Sequence, residues 1–310
     1  MKIVFLDTNT MGEDISLSPI SSLGEFTGYF TSTPEEALER VTDCDVLIVN
    51  KVKVTRELMD AAKRLKLICV AATGVNNVDL DYAESKGIPV RNAVDYSTES
   101  VAQFTMMQLL ALNGRSQELS QYVRSGAYSA SNSFTNVEIA YGELKGKTLG
   151  IIGLGHIGRR VAEMATVFGM KIIYYSASGN AHCPLYECVD LETLLTHSDV
   201  VSIHSPLTEK TRGLISYEKI SLMKPSSLLL NMGRGGIVVE KDLARALDEG
   251  IITGAAVDVF ESEPLPGDHP YLTMSRGERL LLSPHAAWAS REARVKLVEK
   301  IAGNIMAMKG

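Results

Sequence analysis

Four cysteines, Cys44, Cys69, Cys183 and Cys188, are scattered through 310 residues, too few and too dispersed for a disulfide-stapled scaffold. Cys183 and Cys188 have neither a second cysteine pair nor matched histidines at zinc-site spacing, so free thiols and no metal are expected. No apolar run approaches the roughly 18 to 20 residues needed to cross a bilayer. The opening MKIVFLDTNTMGED places a basic residue before an apolar patch, but the patch is far too short for a signal-peptide core and Asp7 interrupts it. A cytoplasmic protein without a membrane partner is therefore expected. Lysine- and arginine-rich clusters are also missing and the formal net charge is −6, which argues against a grip on nucleic acid. Low-complexity tracts and long like-charge blocks are absent as well.

What is present is the composition of a globular chain, 45% hydrophobic and 22% charged with 25 glycines, long enough for two domains or one large α/β unit. Short apolar runs, KIVFLD (2–7), DVLIVN (45–50), LKLICVAA (65–72) and IPVRNA (88–93), alternate with helical patterns such as PEEALERV and TRELMDAAKRL. Continuous apolar strands of this kind belong to a parallel sheet covered on both faces. The pattern STESVAQFTMMQLLALNG (97–114) predicts a bridging helix with Thr98 as N-cap and Glu99 in its first turn, and Met106 and Met107 as core or contact residues. A polar connection, GAYSASNSFTNVEIAYGELKG, leads to a second series of six strands: TLGIIG, KIIYYS, DVVSIH, SLLLNM, GAAVDVF and RLLLSPH. Six strands separated by helices match a complete dinucleotide-binding fold. In the last segment Val295, Val298, Ala302, Ile305 and Met308 share a helical face with Ser290 as cap, and that stripe docks most simply on the first domain.

GLGHIG (153–158) follows the strand TLGII and opens the helical pattern RRVAEMATVFG. A bare GxGxxG is weak, but here strand, turn and helix come in the required order. Gly153 permits the tight turn, Gly155 lets a pyrophosphate approach, and Gly158 lets the helix pack on the strand, with His156 and Ile157 between them. An NAD site of this type usually carries an acidic residue at the end of the next strand. That position holds Ser176, which removes the charge that would repel a 2′-phosphate, yet no arginine or lysine follows before Lys210 to attract one. The cofactor is NAD or NADP, and Ser176, Ser178, Asn180 and His182 could bond either form.

Three later stretches, NMGRGG (231–236), VFESEP (259–264) and SPHAAW (283–288), each lie at or just beyond the carboxyl end of a predicted strand, where ligands of open α/β sheets bind. An arginine, a glutamate and a histidine are thereby directed to one crevice. Together with ATGVNNVD, DYSTESVAQ and KTLGIIGLGHIG, these motifs identify the chain as resembling, over essentially its full length, the D-2-hydroxyacid dehydrogenases, the family that includes glycerate dehydrogenase or hydroxypyruvate reductase.

The resemblance implies two Rossmann-like, doubly wound parallel-sheet α/β domains with the active site in the cleft between them. Residues 1–98 plus 286–310 would form a flavodoxin-like substrate-binding domain and 99–285 the NAD(P)-binding domain. It implies that Arg234 binds the 2-oxo and carboxylate oxygens of a substrate, that His285 donates the proton as hydride arrives, and that Glu263 is the partner of His285. A bidentate guanidinium suits a carboxylate, and a carboxylate beside an imidazole fixes the ring and favours its protonated form. By the same resemblance Thr73 and Gly74 hold the substrate carboxylate, Lys51 and Trp288 lie near the substrate, and Asp258, Ser205, Pro206, Met232 and Gly233 join the cofactor residues. Taken singly, each position also has an ordinary reading: a packed histidine, a surface ion pair, a loop carboxylate, a solvated lysine, a capping aspartate or a seam aromatic. His204 closes an apolar strand and stays outside catalysis.

The activity implied is reduction of a short 2-oxo acid, hydroxypyruvate or glyoxylate first, to its D-2-hydroxy acid by a homodimer joined through the nucleotide domain. The apolar face of the helix near residues 100–112 suits that role. A phosphoglycerate dehydrogenase-like enzyme is the alternative. A non-catalytic, NAD-sensing corepressor-like protein is the rival from another class, and it lacks support from any basic patch here.

Overall fold

The computed structural model of the chain describes residues 1–179 and 183–309. It divides into two compact units, Met1–Ser97 with the stretch from Ala289 onward, and Thr98–Trp288. The first holds five parallel strands, β1 (Lys2–Phe5), β2 (Glu25–Gly28), β3 (Val46–Val49), β4 (Leu67–Val70) and β5 (Val90–Asn92), in the order β2-β1-β3-β4-β5. This is the flavodoxin-like order of a doubly wound sheet. β3 and β4 are buried along their whole length, as continuous apolar runs require when both sheet faces are covered. Leu47, Val49, Ile68 and Val70 share one apolar cluster with Leu58 and Met59 of the helix Arg56–Ala61.

Helix Arg291–Lys309 belongs to this unit and packs on β4. Ser290 caps it, its hydroxyl accepting the Ala293 N–H at 3.2 Å. The stripe it buries is Ala293, Leu297, Val298, Ile301, Ala302 and Ile305. Val295, expected in that stripe, is 38% exposed, because the 3.6-residue period centres the face on Leu297 and Ile301 and leaves Val295 at its margin.

The second unit contains β6 (Thr148–Ile152), β7 (Lys171–Tyr175), β8 (Glu187–Cys188), β9 (Val200–Ile203), β10 (Leu228–Asn231), β11 (Gly254–Val257) and β12 (Leu280–Leu282), all parallel, in the order β12-β11-β10-β9-β6-β7-β8. Among the described residues, seven strands replace the six expected, and five replace the four expected in the first sheet. Both additions, β2 and β8, are edge strands with mostly exposed side chains, so they carry no apolar run to mark them. Alternate residues feed two cores: Val201, Leu229 and Ala255 on one face, Val200, Leu228, Leu230 and Ala256 on the other.

The bridging helix is Thr98–Asn113, with Thr98 as its first residue rather than its cap. Its buried side contributes Val101, Ala102, Met106 and Leu109 to the second core, while Met107 and Leu110 face outward. Ser100 Oγ donates to Ala287 O at 2.6 Å, which ties the stretch up to Trp288 to this unit. No helix among the described residues is long and apolar enough to cross a membrane.

Candidate functional site

Because every pair in the second sheet is parallel, all its carboxyl ends emerge on one edge. Reading along that edge, β12 delivers His285, β11 delivers Asp258 and Glu263, β10 delivers Arg234, β9 delivers Ser205, β6 delivers the Gly153 turn and β7 delivers Ser176. The direction of winding reverses between β6 and β9, the topological switch point at which such sheets bind ligands.

The Gly153–Gly158 turn sits at that point. Gly153 has φ +94°, and a Cβ there would lie 2.3 Å from Ser205 Oγ, so both backbone and space demand glycine. A Cβ on Gly158 would lie 2.3 Å from Gly153 O, whereas the Cβ direction of Gly155 meets nothing within 4 Å. The open side lies at the start of helix His156–Val167, whose residue before the first turn is Gly155. An open glycine at a long helix's N-terminus is the cradle a pyrophosphate requires, so these residues fit a dinucleotide. Ser205 is buried and its hydroxyl donates to Ile152 O at 3.1 Å. Pro206 is exposed, and Met232 and Gly233 are buried in the neighbouring turn. Ser176 is half-buried, with its hydroxyl 3.1 Å from that of Ser178. Asn180 and His182 lie outside the described residues.

The arginine turn is knitted by a residue that sequence reasoning passed over. Asn231 donates from Nδ2 to Arg234 O at 3.1 Å and accepts the Gly233 N–H at 3.2 Å. Arg234 is half-buried, and its Nη1 donates to Gly233 O at 2.8 Å. A Cβ on Gly235 would stand 1.9 Å from Phe260 O, so the backbone of this turn rests directly on the segment leading to Glu263. The NMGRGG string carries both signals, an amide beside the turn and a glycine at the contact.

His285 accepts or donates at Nδ1 within 2.8 Å of Glu263 Oε2 and 3.0 Å of Oε1. With the carboxylate ionised, the bond requires a proton on Nδ1. Glu263 Oε1 also accepts the Phe260 N–H at 3.1 Å. The backbone of His285 is left-handed, φ +52°, a conformation costing a non-glycine residue about 1–2 kcal/mol. Asp258 holds it there. Its carbonyl accepts the His285 N–H at 2.7 Å, and its carboxylate accepts Ser283 Oγ at 2.6 Å, Ala286 N at 2.8 Å and Ala287 N at 3.0 Å. Burial pushes the Asp258 carboxyl above the ordinary carboxylate range, opposed by these hydrogen bonds and by nearby His285. Asp258 thus makes the bonds of a strand-end aspartate that shapes the next turn. Trp288 packs, partly buried, against the second core of the unit.

Lys51, Thr73 and Gly74 lie in the first unit, at the carboxyl ends of β3 and β4. Lys51 and Thr73 are exposed and Gly74 is half-buried. Asp7, beyond β1, was expected only to interrupt an apolar run. Its buried carboxylate accepts three successive N–H groups, from Asn50 at 2.9 Å, Lys51 at 2.6 Å and Val52 at 3.0 Å. Asn77 Nδ2 donates to Asn50 O and Val52 O, and Thr73 Oγ1 donates to Ala93 O at 3.1 Å. The Lys51 turn is therefore fixed from beneath, which no local pattern reveals because Asp7 and its partners are more than 40 residues apart.

Residues 106–287 match the family described as D-isomer specific 2-hydroxyacid dehydrogenase, NAD binding domain. The hydroxypyruvate reductase of Blautia hydrogenotrophica is 35% identical over 98% of this chain and 96% of its own. The D-lactate dehydrogenase of Aquifex aeolicus, solved with NAD and lactic acid, aligns with a TM-score of 0.85 at 31% identity, covering 98% of this chain and 94% of that one. An acyclic imino acid reductase solved with NADPH and D-Arg aligns with a TM-score of 0.87 at 29% identity, covering 99% and 96%. With these likenesses beside the glycine turn and the parallel edge, the chain belongs to the D-isomer specific 2-hydroxyacid dehydrogenase family and is an NAD(P)-dependent oxidoreductase of 2-hydroxy and 2-oxo acids.

Proposed function

We propose that the protein reduces hydroxypyruvate or glyoxylate to the D-2-hydroxy acid, with His285 and Glu263 as the acid–base pair and Arg234 as the substrate-binding cation. The observation that carries this reading is the His285–Glu263 contact at 2.8 Å on a histidine held in a left-handed backbone. Strain maintained by surrounding bonds is characteristic of functional positions. With Nδ1 committed to Glu263, Nε2 is the nitrogen that gives its proton to the substrate's carbonyl oxygen. A bound nicotinamide supplies the hydride to the carbonyl carbon. Arg234 binds the carboxylate and steadies charge on the same oxygen, with Trp288 beside the substrate. Hydroxypyruvate comes first because of the likeness to the Blautia hydrogenotrophica reductase.

The assay follows absorbance of NADH and NADPH separately with hydroxypyruvate, glyoxylate and 3-phosphohydroxypyruvate. His285→Ala is expected to lower kcat at least 100-fold, and a fully active variant would reduce His285 to a packed imidazole. Ser176 neither repels a 2′-phosphate nor attracts one, so both cofactors are expected to serve. Ser176→Asp is expected to depress NADPH use at least tenfold relative to NADH, and an unchanged ratio would remove Ser176 from cofactor choice.

We also propose that the protein is a homodimer joined through the second unit. Val123, Phe134, Val137 and Tyr141 are each more than half exposed in the segment after the bridging helix, and burying exposed apolar side chains against a second copy is favourable. Light scattering should give twice the chain mass, shifting toward one chain mass for Phe134→Asp/Val137→Asp; a monomeric native protein refutes this.

A further inference from the structure

A single carboxylate grips both ends of the loop that carries Glu263. Glu240 opens helix Glu240–Asp248, four residues past Gly236, and its side chain is only 12% exposed. Oε1 accepts the Glu261 N–H at 2.8 Å, and Oε2 lies 2.7 Å from His269 Nε2. His269 is buried, and its Nδ1 accepts the Tyr271 N–H at 3.2 Å. An imidazole accepting at Nδ1 carries its proton at Nε2, so His269 donates to Glu240. Phe260 and Tyr271 pack around that ring, with centroids 6.4 and 4.8 Å away. Between the two anchor points, residues 261–268 are exposed except for Leu265 and have little packing to hold them. A helix start does not need this arrangement. Many residues can begin a helix, but few can accept from Glu261 and His269 together while enclosed.

We infer that Glu240, seconded by His269, is a positioning residue for the acid–base pair, fixing the 260–263 turn so that Glu263 meets His285. The inference rests on the reading of His285 and Glu263 given above. Glu240 touches no reacting atom. Its carboxylate and the contact of Gly235 with Phe260 set the turn from two sides, and within the turn the Phe260 N–H meets Glu263 Oε1 at 3.1 Å. Loss of Glu240 frees Glu261, and the carboxylate two residues later no longer has a fixed direction.

The test is a double-mutant cycle. Glu240→Ala removes both contacts; Glu240→Gln keeps the acceptor for Glu261 but can turn an amide N–H toward that of His269. The kinetics of each are measured with the acid that the wild type reduces fastest, in wild-type and Glu263→Gln backgrounds. Glu240→Ala is expected to lower kcat at least tenfold, to leave KM for the reduced cofactor within twofold, and to cost less than twofold once Glu263 is already glutamine. Equal losses in both backgrounds overturn the inference, since general destabilisation would not depend on Glu263.

A second arm needs no turnover. In protein labelled with 15N-histidine, the ring-nitrogen signals of His285 in folded Glu240→Ala are expected to move to those of Glu263→Gln. Unmoved signals overturn the inference. If Glu263→Gln alone leaves kcat intact, the acid–base reading fails while this arm still decides whether Glu240 directs Glu263. Where Glu240→Ala does not fold, Glu240→Leu, which removes both acceptors but keeps the enclosed space filled, carries both arms.

Discussion

His204 shows how a titratable side chain can be fixed in one form by its surroundings. It follows β9, its Nε2 is 2.8 Å from Ser202 Oγ, and its enclosed Nδ1 has no partner among the described residues. Burial pushes its pKa down from 6.5 to about 3, so the native ring stays neutral near neutral pH. The folded value lies below the unfolded one, so between about pH 6.5 and 3 the unfolded chain takes up a proton that the native chain refuses. The associated stability is present above the unfolded value and lost as pH falls. One such group weakens the fold by about 2 kcal/mol between pH 7 and pH 5. Urea melts at the two pH values should therefore show a smaller acid loss for His204→Leu than for wild type, by about that amount. Equal losses would mean that the imidazole protonates in place.

At the scale of elements, the strands most legible in the sequence are those buried on both faces, such as β3 and β4, whose residues are apolar throughout, and β10, apolar up to Asn231. The glycine turn was legible because Gly153 and Gly158 answer local steric demands while Gly155 leaves the helix N-terminus open. Edge strands β2 and β8 escaped notice, since their pairing is made by backbone and leaves little mark on exposed side chains. The same limit hid the carboxylates that hold turns from a distance. Asp7 and Glu240 are unremarkable acidic residues until the sheet brings their N–H partners to them. Asp45 is a third such group. It lies just before β3, its side chain 2% exposed, and it accepts Lys2 N at 2.8 Å while pairing with Arg64 and Lys66, each at 3.2 Å. The Lys2 N–H first, then Lys66 and Arg64, hold its carboxyl below the ordinary range against the cost of burial. Its stabilisation is thus present above the unfolded value of about 3.9 and is lost as pH falls through the lower, folded one. Asp45→Asn should cost about 1.5–3 kcal/mol in denaturant melts at pH 7. The gap should narrow below pH 4, and a gap independent of pH would mean that shape rather than charge holds β1 beside β3.

The whole molecule is a chain that leaves its first unit at Ser97 and returns to it at Ala289. In the sequence this return is legible as an apolar stripe that docks most simply on the first domain, without the contacts that seat it. The structure seats it by specific bonds: Arg294 donates to Met11 O at 2.7 Å, Arg91 donates to Asn304 O at 3.0 Å, and Asn304 donates to Asn92 O at 3.0 Å. The helix contributes nothing to the cluster built on Leu47, Val49, Ile68 and Val70, so it covers the other face of the sheet, on which Cys69 lies by strand alternation. The cysteines report on this. Cys44 and Cys69 are buried in the first unit, and burial pushes each thiol up to about 12, while Cys183 is half-buried and Cys188 exposed in the second. Because the thiolate is the reactive form, iodoacetamide at pH 8 should label Cys188 and then Cys183 in the native protein and leave Cys44 and Cys69 unmodified by peptide mass mapping. A chain ending at Trp288 loses Leu297, Val298, Ile301, Ala302 and Ile305 from the first unit, each fully or nearly buried and each large side chain contributing about 1.5–3 kcal/mol. That sum approaches the net stability of an ordinary domain. Cys69 and Cys44 should then become labelled at rates close to those of the unfolded chain. Continued protection of both in the truncated protein would show that the five-stranded sheet holds its core without the returning helix.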